Sequence, residues 1–274
     1  MKKKIAVLFS CVWLLVSCAE VPVTGRRQLR LVNNSELYAL SFQAYNQFLQ
    51  ENRVVSNAPQ AATVKNVGNK LRVAIEAYMR QNNMAQVLEG YKWEFNLVDD
   101  KNINAFCMPG GKVVVFTGIL PVTQDETGLA VVMGHEIAHA IAEHGNERTS
   151  QGLLANGLLQ AGSIAVQSNP GMAYQLALQA AGLGTQLGLL AYGRKQESEA
   201  DEIGLIMMAM AGYDPRAAVP FWQRMAAQGN GQEPPEFLST HPSSQTRISR
   251  LQKLMPKALE YYKGNGVEAA AGNK

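Results

Sequence analysis

Charge is scarce in this 274-residue chain: 17% of its residues are ionic at neutral pH, and the net charge is only +3. The Lys and Arg are spread along the sequence, which argues against a nucleic-acid surface. With 47% hydrophobic residues the chain is globular rather than disordered. Its length suits one domain of upper ordinary size. Cysteine is nearly absent, with Cys11, Cys18 and Cys107 alone. Cys107 lies in an apolar, strand-like context that reads as a small buried residue, so no intrachain disulfide is expected. Histidine is equally rare. There are four, yet three of them fall within residues 135–144, inside one apolar helical run. Desolvating an imidazole is costly unless something binds it, so this concentration calls for a ligand.

The N-terminus differs in kind. Lys2-Lys3-Lys4 precedes Ile5 to Ser17, an apolar stretch too short to span a bilayer comfortably but suited to a signal sequence. Leu15-Val16-Ser17-Cys18 resembles the bacterial lipobox. Residues 1–17 are therefore expected to be a lipoprotein signal peptide, and 18–34 a lipidated Cys18 with its tether. No Asp follows Cys18, so the expected location is the bacterial cell envelope, at the periplasmic face of the outer membrane. The main domain is expected over 35–265, with a flexible tail at 266–274.

Helical periodicity runs from Ser35, an expected N-cap, to about Glu51, and again from Gln60 to Gln81. Tyr91 to Val98 alternates as a strand. Ile103–Met108 and Lys112–Thr117 flank Pro109-Gly110-Gly111 as a hairpin. A helix is expected over Asp125–Arg148, then a Gly/Ala/Leu/Gln-rich pair of helical segments at 152–193. Helices at 197–210, 215–228 and 244–263 complete an α+β, helix-dominated domain.

His135-Glu136-Ile137-Ala138-His139 fits H-E-x-x-H. Positions i and i+4 share a helix face, so both rings can address one ion, while Glu136 stands close enough to take a proton. A catalytic zinc needs a third protein ligand. The metzincin register fails, because Ala142 and Gly145 stand where Gly and His are required. His144 is one residue out of that register and reads as structural. The thermolysin spacing fails too, for no Asp or Glu occurs between Arg148 and Gln196. The first acids after the gap are Glu197, Glu199, Asp201 and Glu202. Glu197 and Asp201 share a face that continues through Gly204, a small residue that lets helices approach. Glu197 is thus the expected third ligand, and Asp201 the acceptor for the outer N–H of a ligand histidine. Glu199 lies on the far side. His241, fixed before Pro242 with Arg247 just beyond, can reach a cleft to touch the zinc water, the oxyanion or the substrate.

HEIAH at 135–139, ESEAD at 197–201, NAFCMPGGKVVVFTGIL at 104–120, HPSSQTR at 241–247 and PVTGRRQL at 22–29 together resemble the M48 peptidases. These include the CAAX-prenyl endopeptidases, the heat-shock HtpX group and soluble periplasmic lipoproteins. The resemblance implies a gluzincin (zincin) domain with a small hairpin sheet over the active-site helix. It implies one Zn2+ per chain on His135, His139 and Glu197, with Glu136 as general base and Asp201 in support. In some periplasmic relatives the His before Pro closes on the metal, so His241 is a candidate for holding a latent state. The strand around Val113 and Val115 would offer an edge for extended substrate, with Asn104 and Arg247 as further substrate contacts. The implied activity is a zinc endopeptidase acting on unfolded or misassembled envelope proteins. The alternative is a chaperone or binding module for the outer-membrane assembly machinery. Membrane attachment through Cys18 is expected, and nucleic acid is not.

Overall fold

The computed structural model describes residues 18–155, 193–229, 235–241 and 245–262. The expected signal peptide, most of the 152–193 segment and the tail lie outside them.

Strands β1 (Cys18–Glu20) and β2 (Arg27–Leu29) pair antiparallel as a small hairpin. Helix α1 (Asn34–Glu51) is capped by Asn33, whose side chain accepts from the Ser35 N–H, so the cap falls two residues before the one expected. A two-residue strand β3 (Val54–Val55) leads to helix α2 (Pro59–Gln81). Then come β4 (Glu94–Val98), β5 (Ala105–Met108) and β6 (Lys112–Phe116). The sheet order is β3-β4-β6-β5, with β6 parallel to β4 and antiparallel to β5. Gly110 and Gly111 turn the β5–β6 hairpin at φ 84° and 86°, a region that glycine enters without strain.

Both faces of this sheet are covered. Phe95, Leu97, Cys107, Val113 and Val115 join the main core. Val98, Phe106, Met108, Val114 and Phe116 pack with Tyr45 and Phe48 of α1. A strand buried on both sides has no polar face to show, which explains the uninterrupted Val113-Val114-Val115-Phe116 run. It also corrects the expectation for Val113 and Val115. They lie in an internal strand, fully buried, and cannot offer a substrate an edge. The outer strands are β3 and β5.

Helix α3 (Glu126–Ile141) starts at Asp125, which accepts from Gly128 N at 2.8 Å, and is buried all round from Gly128 onward. It was expected to continue to Arg148. Instead Glu143 takes φ 52°, and a second helix α4 begins at His144 and runs to Ala155. Helix α5 (Arg194–Met210) crosses α3, α6 (Ala218–Gln228) follows a turn at Pro215–Ala217, and α7 (Gln245–Tyr261) packs on α5. No helix among the described residues is long and apolar enough to cross a membrane.

The α3–α5 crossing places the site. A Cβ on Gly204 would lie 2.9 Å from the His135 nitrogen and 3.0 Å from the Gly134 oxygen, so the two backbones touch there. Gly204→Ala must separate the helices, which costs about 1–3 kcal/mol, as overpacking typically does. A lower thermal midpoint in that variant is the expected result; an unchanged midpoint contradicts so close a crossing.

Candidate metal centre

Helix α3 stacks His135 and His139 on one face, with ring centroids 4.7 Å apart. Helix α5 brings Glu197, in its first turn, against them. Glu197 Oε1 lies 3.2 Å from His139 Nε2, and Oε2 lies 3.5 Å from His135 Nε2. His241, ending the short helical turn Glu236–Thr240, places Nδ1 2.8 Å from Glu197 Oε1 and 3.3 Å from His135 Nε2. One donor atom from each of His135, His139, Glu197 and His241 lies within 4.8 Å of all the others, and all four residues are buried.

The donor set fits a tetrahedral cation. Ligand atoms about 2.0–2.2 Å from a common centre stand about 3.4 Å apart, and the contacts here run from 2.8 to 3.5 Å. Two imidazole nitrogens also face each other across 3.1 Å, at His139 Nε2 and His135 Nε2. In a buried cluster so rich in acceptors, a shared divalent ion satisfies every member.

Glu136, one step round α3, is buried and not a donor to the cluster. Its Oε1 has no hydrogen-bond partner and lies 3.6 Å from His241 Nε2. Burial pushes the Glu136 carboxyl up to about 7. Burial alone would raise Glu197 as well, but the adjacent His241 and His135 hold it well below the usual carboxylate range. Burial drives His139 far below the ordinary imidazole value, keeping it neutral and able to ligate.

Asp201, one turn beyond Glu197 on α5, places Oδ1 3.2 Å from His135 Nδ1, the outer nitrogen of that ring. Arg247 was expected to meet substrate. It is instead buried at 3% exposure, stacked 3.2 Å above the centre of the Trp222 ring. Its guanidinium donates to Asp201 Oδ1 at 2.5 Å and to Glu197 Oε2 at 3.1 Å. A planar fork that grips both carboxylates holds the acidic helix to the site, and its Nη2 also lies 3.1 Å from His135 Nδ1. Asn104 is likewise turned inward, with Oδ1 accepting from the Ala105 N–H at 2.9 Å. Cys107 is buried, and burial raises its thiol far above the ordinary value, which leaves no thiolate for nucleophilic chemistry.

Sequence reasoning missed a second layer. The break at Glu143 re-aims His144, whose Nδ1 lies 2.9 Å from His139 Nδ1 and whose Nε2 lies 2.9 Å from Glu199 Oε2. Glu199 does lie outside the donor cluster, as the helix geometry required, yet it faces this ring rather than solvent. The segment expected to be a tether is also packed: Val21 and Gln28 are buried, and Gln28 Nε2 donates to Ala142 O at 2.7 Å. The carboxylate-free gap signalled Glu197. Nothing local signalled the turn at Glu143.

The chain matches the model for Peptidase family M48 over residues 66–255. It is 34% identical over 243 residues to the mitochondrial metalloendopeptidase OMA1 of Schizosaccharomyces pombe, covering 87% of this chain and 66% of that protein. Identity to the mitochondrial metalloendopeptidase OMA1 of Homo sapiens is 33%, covering 87% and 46%. To the beta-barrel assembly-enhancing protease of Escherichia coli it is 32%, covering 61% and 36%. The chain spans between about a third and two thirds of the length of these curated relatives. They also correct the expected location. Mitochondrial proteins of fungi, a plant and animals match this chain over much of its length, which overturns the placement at a bacterial outer membrane.

Proposed function

The chain belongs to Peptidase family M48, and from that premise we propose that it is a zinc-dependent endopeptidase acting on unfolded or misassembled proteins. The observation that carries the reading is the convergence of His135, His139, Glu197 and His241, beside a buried carboxylate that ligates nothing.

His135, His139 and Glu197 would hold the ion. Zinc, when bound, supplies a Lewis acid that polarises a peptide carbonyl and acidifies water. Glu136 then does the proton work. It accepts a proton from the attacking water and returns it to the leaving amine, a double duty suited to a carboxyl lifted to about 7. Asp201 takes the outer N–H of His135 and so fixes that ring's tautomer. Arg247 ties Asp201 to Glu197. An extended substrate pairs along the outer edge of β5, the last strand of the sheet and the one beside α3.

We read His241 as a plug on the site. Its Nδ1 is the fourth donor of the cluster and would take up the position that a bound zinc keeps for water or a carbonyl oxygen, and its ring rests on Phe237, 4.7 Å between centroids. This position favours a latent form that opens when the 235–241 turn moves. The expected effect of His241→Ala is about a tenfold rise in turnover of an unfolded protein, the gain from removing a plug populated about ten to one. A loss of turnover in that variant means that His241 serves the reaction instead of blocking it. The basic test uses unfolded casein with and without chelator, after zinc per chain has been measured. Zinc-dependent cleavage supports the proposal, and chelator-insensitive cleavage removes it.

A further inference from the structure

His139 offers Nε2 to the ligand cluster, which leaves Nδ1 on the outer edge of its ring. A histidine that binds a cation through one nitrogen carries its proton on the other, and the group accepting that proton fixes the ring. For His135 the acceptor is a carboxylate. For His139 it is a second imidazole, His144 Nδ1, at 2.9 Å. A neutral imidazole accepts at Nδ1 when its own proton sits on Nε2. His144 Nε2 faces Glu199 Oε2 at 2.9 Å, so Glu199 dictates both tautomers in turn.

Glu199 is itself set from far upstream. Arg26 Nε donates to its Oε2 at 2.7 Å, and the Thr24 hydroxyl donates to its Oε1. The remaining face of the Arg26 guanidinium forks onto Glu147, Nη1 to Oε1 at 2.7 Å and Nη2 to Oε2 at 2.9 Å. Gln28 accepts from Nη2 at 3.0 Å while donating to Ala142 O at the end of α3. Both carboxylates are buried to within 8% exposure, and Arg26 pairs with both of them. Only a planar group with donors on two edges reaches both at once; a lysine ammonium cannot. The β1–β2 hairpin that supplies Thr24, Arg26 and Gln28 lies outside the residues matched by the family model.

We propose that Arg26 is a positioning residue for the metal centre. Acting through Glu199 and His144, it holds the His139 ring in the orientation and tautomer that bind the ion, so that the N-terminal hairpin sets how tightly the site keeps its metal. This inference rests on the zinc reading above. It goes beyond that reading by giving the hairpin a part in a site it never touches.

The test uses the full chain and reads zinc affinity by competition with a chromogenic chelator, together with the visible absorption of the cobalt(II)-substituted protein. Arg26→Gln is expected to weaken zinc binding by about 10–100-fold, the range found when a group supporting a ligand histidine is lost, and to shift the cobalt bands. Arg26→Lys should fall between the two. Arg30→Ala is the control: it removes the half-exposed Arg30–Glu143 pair of the same segment but leaves the line to His139 intact. Its affinity should match the unaltered chain. If Arg26→Gln fails to fold, Thr24→Val takes its place, with a loss of a few-fold expected for one hydrogen bond. Unchanged affinity and cobalt bands in the folded variant overturn the proposal, as does an equal loss in Arg30→Ala. An unaltered chain that binds no zinc removes the zinc reading and this one together, whereas tight zinc in both chains removes this one alone.

Discussion

Replacing Glu136 by Gln lowers cleavage of an unfolded protein by about 10²–10⁴-fold, the contribution of a positioned general base, and leaves the zinc in place. The prediction follows from where the carboxylate stands. It is buried, it is not among the four converging donors, and its Oε1 has no partner in the described structure. Gln keeps the shape and the packing but cannot take up a proton. Because burial already disfavours the charge, the variant should fold at least as stably as the parent. Casein digestion with elemental analysis on the same sample checks both halves. Activity above about a tenth of the parent's, or a loss of zinc, contradicts the role given to Glu136.

The second large effect belongs to Glu197. It is the only acid in the ligand cluster, and its two oxygens meet His139 on one side and His135 on the other. Glu197→Ala should weaken zinc binding by more than the 10–100-fold seen when a merely supporting group is lost, and cleavage should vanish with the metal. The deletion also strips Arg247 of one of its two carboxylates and leaves a buried cation half compensated. Stability separates the two consequences. The parent chain gains about 2.7 kcal/mol from zinc at a hundred times its dissociation constant, so chelator should lower its melting temperature clearly. In Glu197→Ala the chelator should have no effect. A chelator shift of equal size in both chains means that the ion sits elsewhere.

Much of this centre was legible before any coordinates. H-E-x-x-H spacing on a helix is a geometric statement, and the carboxylate desert from Arg148 to Gln196 left few candidates for a third ligand. Gly204 was readable for the same reason, since a small residue on the same helix face as two acids marks a helix contact, and it does meet Gly134. What failed was whatever depended on one backbone angle or on distant pairing. A non-glycine residue at positive φ leaves no mark on periodicity, so α3 was extended through Glu143 and His144 was pointed away. The parallel pairing of β4 with β6 joins strands that are not neighbours in sequence, and local alternation cannot show that it buries Val113 and Val115 within the sheet. Three-residue strands are too short for any period. The hairpin holding Arg26 therefore read as a tether, although its arginine meets two carboxylates more than a hundred residues away.

Zinc K-edge X-ray absorption on the purified full chain, with metal quantified on the same sample, tests the central claim most directly. The account predicts one zinc per chain bound by nitrogen and oxygen donors at about 2.0–2.1 Å, with outer-sphere scattering from at least two imidazoles. Sulfur at about 2.3 Å, or a chain that emerges from zinc loading and dialysis without its ion, contradicts it.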